Sequence, residues 1–140
     1  MSFPDAVRHA LSHWSDFRGR ARRSEFWWFV LFGFLAGLAA GLVDLAIFGS
    51  EGIQAVSSLV SLALLVPFLA VAVRRLHDTD RTGWWLLVAF VPIVGTLVLL
   101  WFYATRGQDG PNRFGPDPKG GDRLADTGAP RRSDVPRVDR

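Results

Sequence analysis

Arg74-Arg75-Leu76-His77-Asp78-Thr79-Asp80-Arg81-Thr82-Gly83-Trp84-Trp85 decides how the chain folds, because it crowds six ionisable groups into eight residues between two long apolar runs. Each run is about long enough, as a helix, to cross the hydrocarbon core of a bilayer. Of the 140 residues 49% are apolar, and they lie in blocks instead of at amphipathic spacing, which is the composition of a membrane protein. The expected fold is all-α: a small polytopic membrane helical bundle of about three transmembrane helices, with a short N-terminal amphipathic helix and a disordered C-terminal tail.

Upstream of the central stretch, a second span is expected over about residues 53–73. Ser57, Ser58 and Ser61 give it a small polar face, and Pro67 should kink it. Gly49-Ser50-Glu51-Gly52 is a turn without positive charge. The first span covers about residues 26–47, where Gly33, Gly37 and Gly41 recur every fourth residue and leave a helix face almost bare of side chains. Such faces let helices approach closely in lipid, where no hydrophobic force drives them together. Asp44 reads as the marker of that span's far end.

Before the first span lies a basic collar, Phe17-Arg18-Gly19-Arg20-Ala21-Arg22-Arg23-Ser24-Glu25, that runs into the aromatic belt Phe26-Trp27-Trp28. Arginine reaches phosphate here and tryptophan prefers the interface, while Glu25 should be held in a structural ion pair. Residues from Ser2 to about Trp14 read as an amphipathic helix capped by Ser2, with Phe3, Val7, Leu11 and Trp14 on its apolar face. His9 and His13 have a chelating spacing but no third ligand nearby, so they are expected to be solvated.

Downstream, Trp84 to Tyr103 carries Pro92-Ile93-Val94-Gly95 at its centre. A kinked single span is expected; the alternative is a re-entrant hairpin, which needs cover from other protein. Glycine and proline then forbid a helix over residues 106–118, which should form a compact ordered loop. The organisation is thus 1–23 (amphipathic helix and collar), 24–105 (transmembrane domain), 106–118 (loop) and 119–140 (disordered tail).

The collar, the central stretch and the loop Gly110-Pro111-Asn112-Arg113-Phe114-Gly115-Pro116-Asp117-Pro118 together resemble the bacterial membrane proteins grouped as domain of unknown function 805. The resemblance spans residues 17 to 118. It implies a multi-pass protein of the bacterial inner (plasma) membrane and brings no activity with it.

Function is less constrained. With no cysteine, disulfides, thiolate metal sites and cysteine nucleophiles are excluded. No metal or cofactor is expected, and the basic clusters touch spans, which points to anionic headgroups and not to nucleic acid. Arg20, Arg23, Glu25, Arg74, Arg75, His77, Asp78, Asp80, Arg81, Asn112 and Arg113 form a candidate composite interfacial site, structural or headgroup-binding. Arg74 and Arg75 should close the second helix against its dipole, and Asp78 or Asp80 should cap the next. His77-Asp78 has the chemistry of a base and its orienting acid, but adjacent side chains seldom act together, so no catalytic residue is assigned.

The favoured function is non-enzymatic helix association through Gly33, Gly37 and Gly41, with a second copy or another membrane protein. The alternatives are a small transporter or channel subunit, and a binder of anionic lipid or phosphate at the cytoplasmic face. The arginine-rich segments favour the cytoplasm for the collar and the central stretch. Three spans would then export the carboxyl end, against the preference of Arg106, Arg113, Lys119 and Arg123 to stay inside.

Overall fold

A computed structural model describes residues 1–120 and 122. Its elements are α1 (Phe3–Ser12), α2 (Arg23–Phe48), α3 (Ala55–Asp78), a 3-10 helix (Gly83–Phe90) and α4 (Val94–Ala104). The architecture is an all-helical membrane bundle, as its composition predicts. The tail expected to be disordered lies, beyond Lys119, Gly120 and Asp122, outside the described residues.

α2 and α3, of 26 and 24 residues, are both long and apolar enough to cross a bilayer. They pack as an antiparallel pair, and α3 continues through Pro67. The pair is joined by more than the turn at Gly49 to Gly52. The Asp44 carboxylate of α2 accepts from the backbone N–H of Val56 and of Ser57, each at 2.8 Å, and from the Ser57 hydroxyl. These two amides are orphan donors of the first turn of α3, so Asp44 caps a helix other than its own. It does more than mark the end of a span.

The apolar core sits toward the opposite end, here called the collar end. Ala10, Phe26, Phe29, Val71, Ala72, Leu76, Leu99 and Tyr103 form one cluster there. In the other half, α2 and α3 present large apolar side chains outward, among them Phe34, Leu42, Leu59 and Leu62. A soluble protein would hide such surface; a bilayer covers it.

The third apolar run does not form the kinked single span expected of it. It folds into a hairpin whose legs are the 3-10 helix and α4. The Trp85 and Phe102 rings meet edge-on at 5.3 Å, and the Arg81 guanidinium lies 4.0 Å over Phe102. In one straight helix, residues 84 and 103 would be about 30 Å apart. Two local features make the turn. Ile93 has a φ of 64°, a costly conformation for a β-branched residue, and Gly95 passes so close to Val88 that a Cβ would stand 1.7 Å from its carbonyl oxygen. The turn amides bond within the hairpin, Gly95 N–H to Val91 O at 3.0 Å and Val91 N–H to Val88 O at 3.0 Å, which re-entrant backbone requires.

α1 forms as its Ser2 cap and Pro4 predict, with the Ser2 hydroxyl accepting from Asp5 N–H at 3.4 Å. It docks differently from expectation. Ala6 and Ala10 are wholly buried while Leu11 and Trp14 are exposed, so the helix approaches its neighbours through its smallest side chains. Phe3 meets Trp28 edge-on at 5.7 Å.

Candidate functional site

Three segments distant in sequence meet at the collar end, and Asp78 is where they join. Its Oδ1 accepts from Arg20 Nε at 3.0 Å, and its Oδ2 pairs with Arg75 one helical turn back. Its main-chain carbonyl accepts from Gln108 N–H at 2.8 Å. Collar, α3 and C-terminal loop are thereby held on one residue. Arg20, Arg75 and Asp78 are all buried, Arg75 completely.

The arginines spend their remaining donors on main-chain carbonyls. Arg75 Nε reaches Tyr103 O at 3.1 Å, Nη1 reaches Ala21 O at 3.4 Å, and Nη2 reaches Thr105 O. Arg23 Nη1 donates to Ala104 O at 3.3 Å. The last carbonyls of α4, the negative end of its dipole, are therefore clamped by two arginines. Arg20 Nη1 and Nη2 donate to the carbonyls of Gly110 and Gln108. Arginine suits this work because its planar fork offers five donors in fixed directions. Arg75 thus binds the hairpin instead of closing its own helix, contrary to expectation.

A second cluster lies beside the first. Glu25 Oε1 receives His9 Nδ1 at 2.9 Å and Arg74 Nη1 at 3.1 Å, which bridges α1, α2 and α3. The ion pair expected of Glu25 is present, and His9 turns out to be part of it. His13 stacks on His9 at 4.3 Å, and among the described residues no group of three or more His, Cys, Asp and Glu side chains could hold a metal ion. Arg74 is the least satisfied member of the cluster. Its Nε and Nη2 are buried with no hydrogen-bond partner among the described residues.

The loop closes over the first cluster. His77 Nδ1 lies 3.0 Å from Gly19 O, and its ring stacks on Phe114 at 3.9 Å with planes 3° apart. Asn112 Nδ2 donates to His77 O at 2.9 Å while its Oδ1 accepts from Phe114 N–H at 2.9 Å. His77 and Asp78 point to different partners and form no base–acid pair. Asp80 does not cap the next helix either: it takes a φ of 57° and pairs through Oδ1 with Arg113 Nε at 3.0 Å. Thr82 is the N-cap of the 3-10 helix, without a side-chain cap bond. Farther out, Arg22 donates to Pro118 O and pairs with Asp122, whose carboxyl that hydrogen bond holds below the usual carboxylate range.

All the candidate site residues converge on the collar end, through direct contacts or through the Asp80–Arg113 and Arg81–Phe102 pairs. Gly33, Gly37 and Gly41 do not belong there. They line the other half of α2, and at none of them would an added Cβ meet, within 4 Å, any atom beyond the adjoining backbone of its own helix. Sequence reasoning missed Gly107, which packs on Asp78, and the carbonyl acceptors of Tyr103, Thr105, Gln108 and Gly110. No side-chain signal marks a main-chain acceptor. Among the described residues the charge cluster is a buried fastening of three segments.

Two Escherichia coli proteins are similar to this chain. Inner membrane protein YhaI of strain K12 is 49% identical over 111 residues, which cover 79% of this chain and 92% of YhaI. Inner membrane protein YhaH of the same strain is 42% identical over 113 residues, or 78% and 92% of the two chains. No solved structure matches. The model of the family described as "Protein of unknown function (DUF805)" matches residues 14–116, and with it the chain is placed: it belongs to that family and is a multi-pass protein of the bacterial inner membrane.

Proposed function

We propose that the protein works without catalysis, by helix association, with itself or within a larger membrane assembly. One observation carries this reading: the row Gly33, Gly37, Gly41 stays open in the single chain, with nothing beyond the adjoining backbone of its own helix within 4 Å of where a Cβ would stand at any of the three. The row lines grooves beside α3, across from Ser57, Ser61 and Leu65, that the chain itself leaves unfilled, and a bare face of this kind gives an incoming helix room for close approach in lipid. The ionisable groups at the collar end favour the same reading over transport. Glu25, Arg75, His77 and Asp78, which a path would have to expose, are buried against each other and against carbonyls. Against the headgroup-binding alternative, Arg20, Arg74 and Arg75 are likewise buried inside the protein.

The test is Gly37→Leu and Gly41→Leu in the full chain, with association read by cross-linking in native membranes and by size in mild detergent. Both variants should lose the oligomer or the recovered partner while keeping their helical content. Association that is unchanged in both would overturn the reading.

A further inference from the structure

A groove of about 510 Å³ runs between α3 and the hairpin, lined by Phe68, Ala72, Leu87, Phe90, Leu100 and others, with Thr96 and Tyr103 its polar side chains. We propose that this groove holds one acyl chain of an anionic phospholipid from the collar-side leaflet, with the lipid's phosphate met by Arg23. The inference concerns a different surface from the glycine row and stands independently of it.

Length selects the occupant. α4 has 11 residues and so rises about 16 Å, roughly half of the ~30 Å hydrocarbon core. The groove ends where the hairpin turns, at Phe90 and Thr96. A transmembrane helix lying in it would lose its contacts halfway across, whereas an acyl chain enters from one leaflet and ends near the midplane. The nearly all-apolar lining suits a hydrocarbon chain and offers nothing to a polar ligand.

Charge selects the headgroup. Tyr103 lines the groove at the collar end, and its ring lies 4.3 Å from that of Phe26, one turn along α2 from Arg23. Arg23 is exposed, and its described hydrogen bond is a single one, of 3.3 Å, to the carbonyl of Ala104 beside Tyr103. Its remaining donors can take a phosphate oxygen beside the carboxyl end of α4, one residue along from Tyr103 of the lining. The nearby carboxylates do not compete, since Glu25 and Asp78 are buried on Arg74, Arg20 and Arg75.

Native mass spectrometry of the full chain in detergent, with added phosphatidylglycerol or phosphatidylcholine carrying palmitoyl and oleoyl chains, tests this. The chain should retain one phosphatidylglycerol in preference to phosphatidylcholine. Arg23→Gln should reduce that retention about fivefold, the scale of one arginine at an anionic surface. Thr96→Phe and, separately, Leu100→Trp fill the groove and should abolish it, while Leu97→Phe, on an exposed residue outside the lining, should not. Retention that survives both groove-filling variants overturns the site. Equal retention of the two lipids, indifferent to Arg23→Gln, overturns the headgroup assignment.

Discussion

Gly107 passes so close to Asp78 that a Cβ on it would stand 1.9 Å from the carboxylate Oδ2. That carboxylate is the one on which Arg20 and Arg75 converge, so the loop's backbone lies directly on a buried ionic junction. Removing one partner of such a junction leaves the others charged and unsolvated, which typically costs 3–5 kcal/mol. Asp78→Ala is therefore expected to lose about that much stability, and Gly107→Ala to lose stability by pushing the same carboxylate off its arginines. Unfolding in detergent, followed by circular dichroism, reads both; an Asp78→Ala chain that melts like the parent would contradict the account.

Arg75→Lys keeps the charge and loses the fork. Lysine can still pair with Asp78 but cannot also reach Ala21 O, Tyr103 O and Thr105 O, which Arg75 holds from three nitrogens. The expected result is a chain that inserts normally with a loosened return leg. A cysteine introduced at Thr105 reports it, since the parent sequence has none: thiol labelling should be faster in the Arg75→Lys background. Equal labelling rates would mean that the clamp does not hold α4.

Which features are legible in the sequence depends on what kind of signal each one leaves there. Two long helices, the Ser2 cap of α1 and the Glu25 ion pair follow from composition, spacing and charge, and each is present. The hairpin stands only as the alternative to a kinked span in the sequence, because an exposed turn with Phe90, Val91 and Ile93 at its tip is as apolar as a span, and hydropathy does not see direction. The dipole of their own helix is a local signal for Arg74 and Arg75, whereas their distant partners are Glu25 on α2, Ala21 in the collar, and Tyr103 and Thr105 at the end of α4. The role of Asp44 leaves no local signal for the same reason: its acceptor atoms serve amides 12 and 13 residues away across a turn.

Asp44 gives a prediction of graded size. An N-cap lost to alanine costs about 1 kcal/mol, within a range of 0.5–2, and here the carboxylate caps from a neighbouring helix. Asp44→Ala should lower the unfolding midpoint, and Asp44→Asn should recover part of the loss because its amide oxygen can still accept from one of Val56 and Ser57. Indistinguishable asparagine and alanine variants would show that the bonds to these amides contribute nothing.

The hairpin also resolves the conflict between the charge clusters. If residues 84–103 crossed once, the basic residues after Tyr103 would lie on the side opposite the collar, against the preference of arginine and lysine for the cytoplasm. Because the Arg75 guanidinium ties Thr105 to the end of α3, and Arg22 holds Pro118, the residues after α4 return to the collar end. A reporter fused after Pro118 should therefore show the same sidedness as one placed before the collar, and a reporter inserted between Gly49 and Gly52 should show the opposite. Gly95→Leu supplies the internal control, since its side chain would collide with Val88 O and the hairpin would have to open. In that variant the Pro118 fusion should become mixed in orientation or unstable. A parent chain whose Pro118 fusion reports the side opposite the collar would mean that α4 completes a crossing, and the shared fastening of collar, central stretch and loop would have to be abandoned.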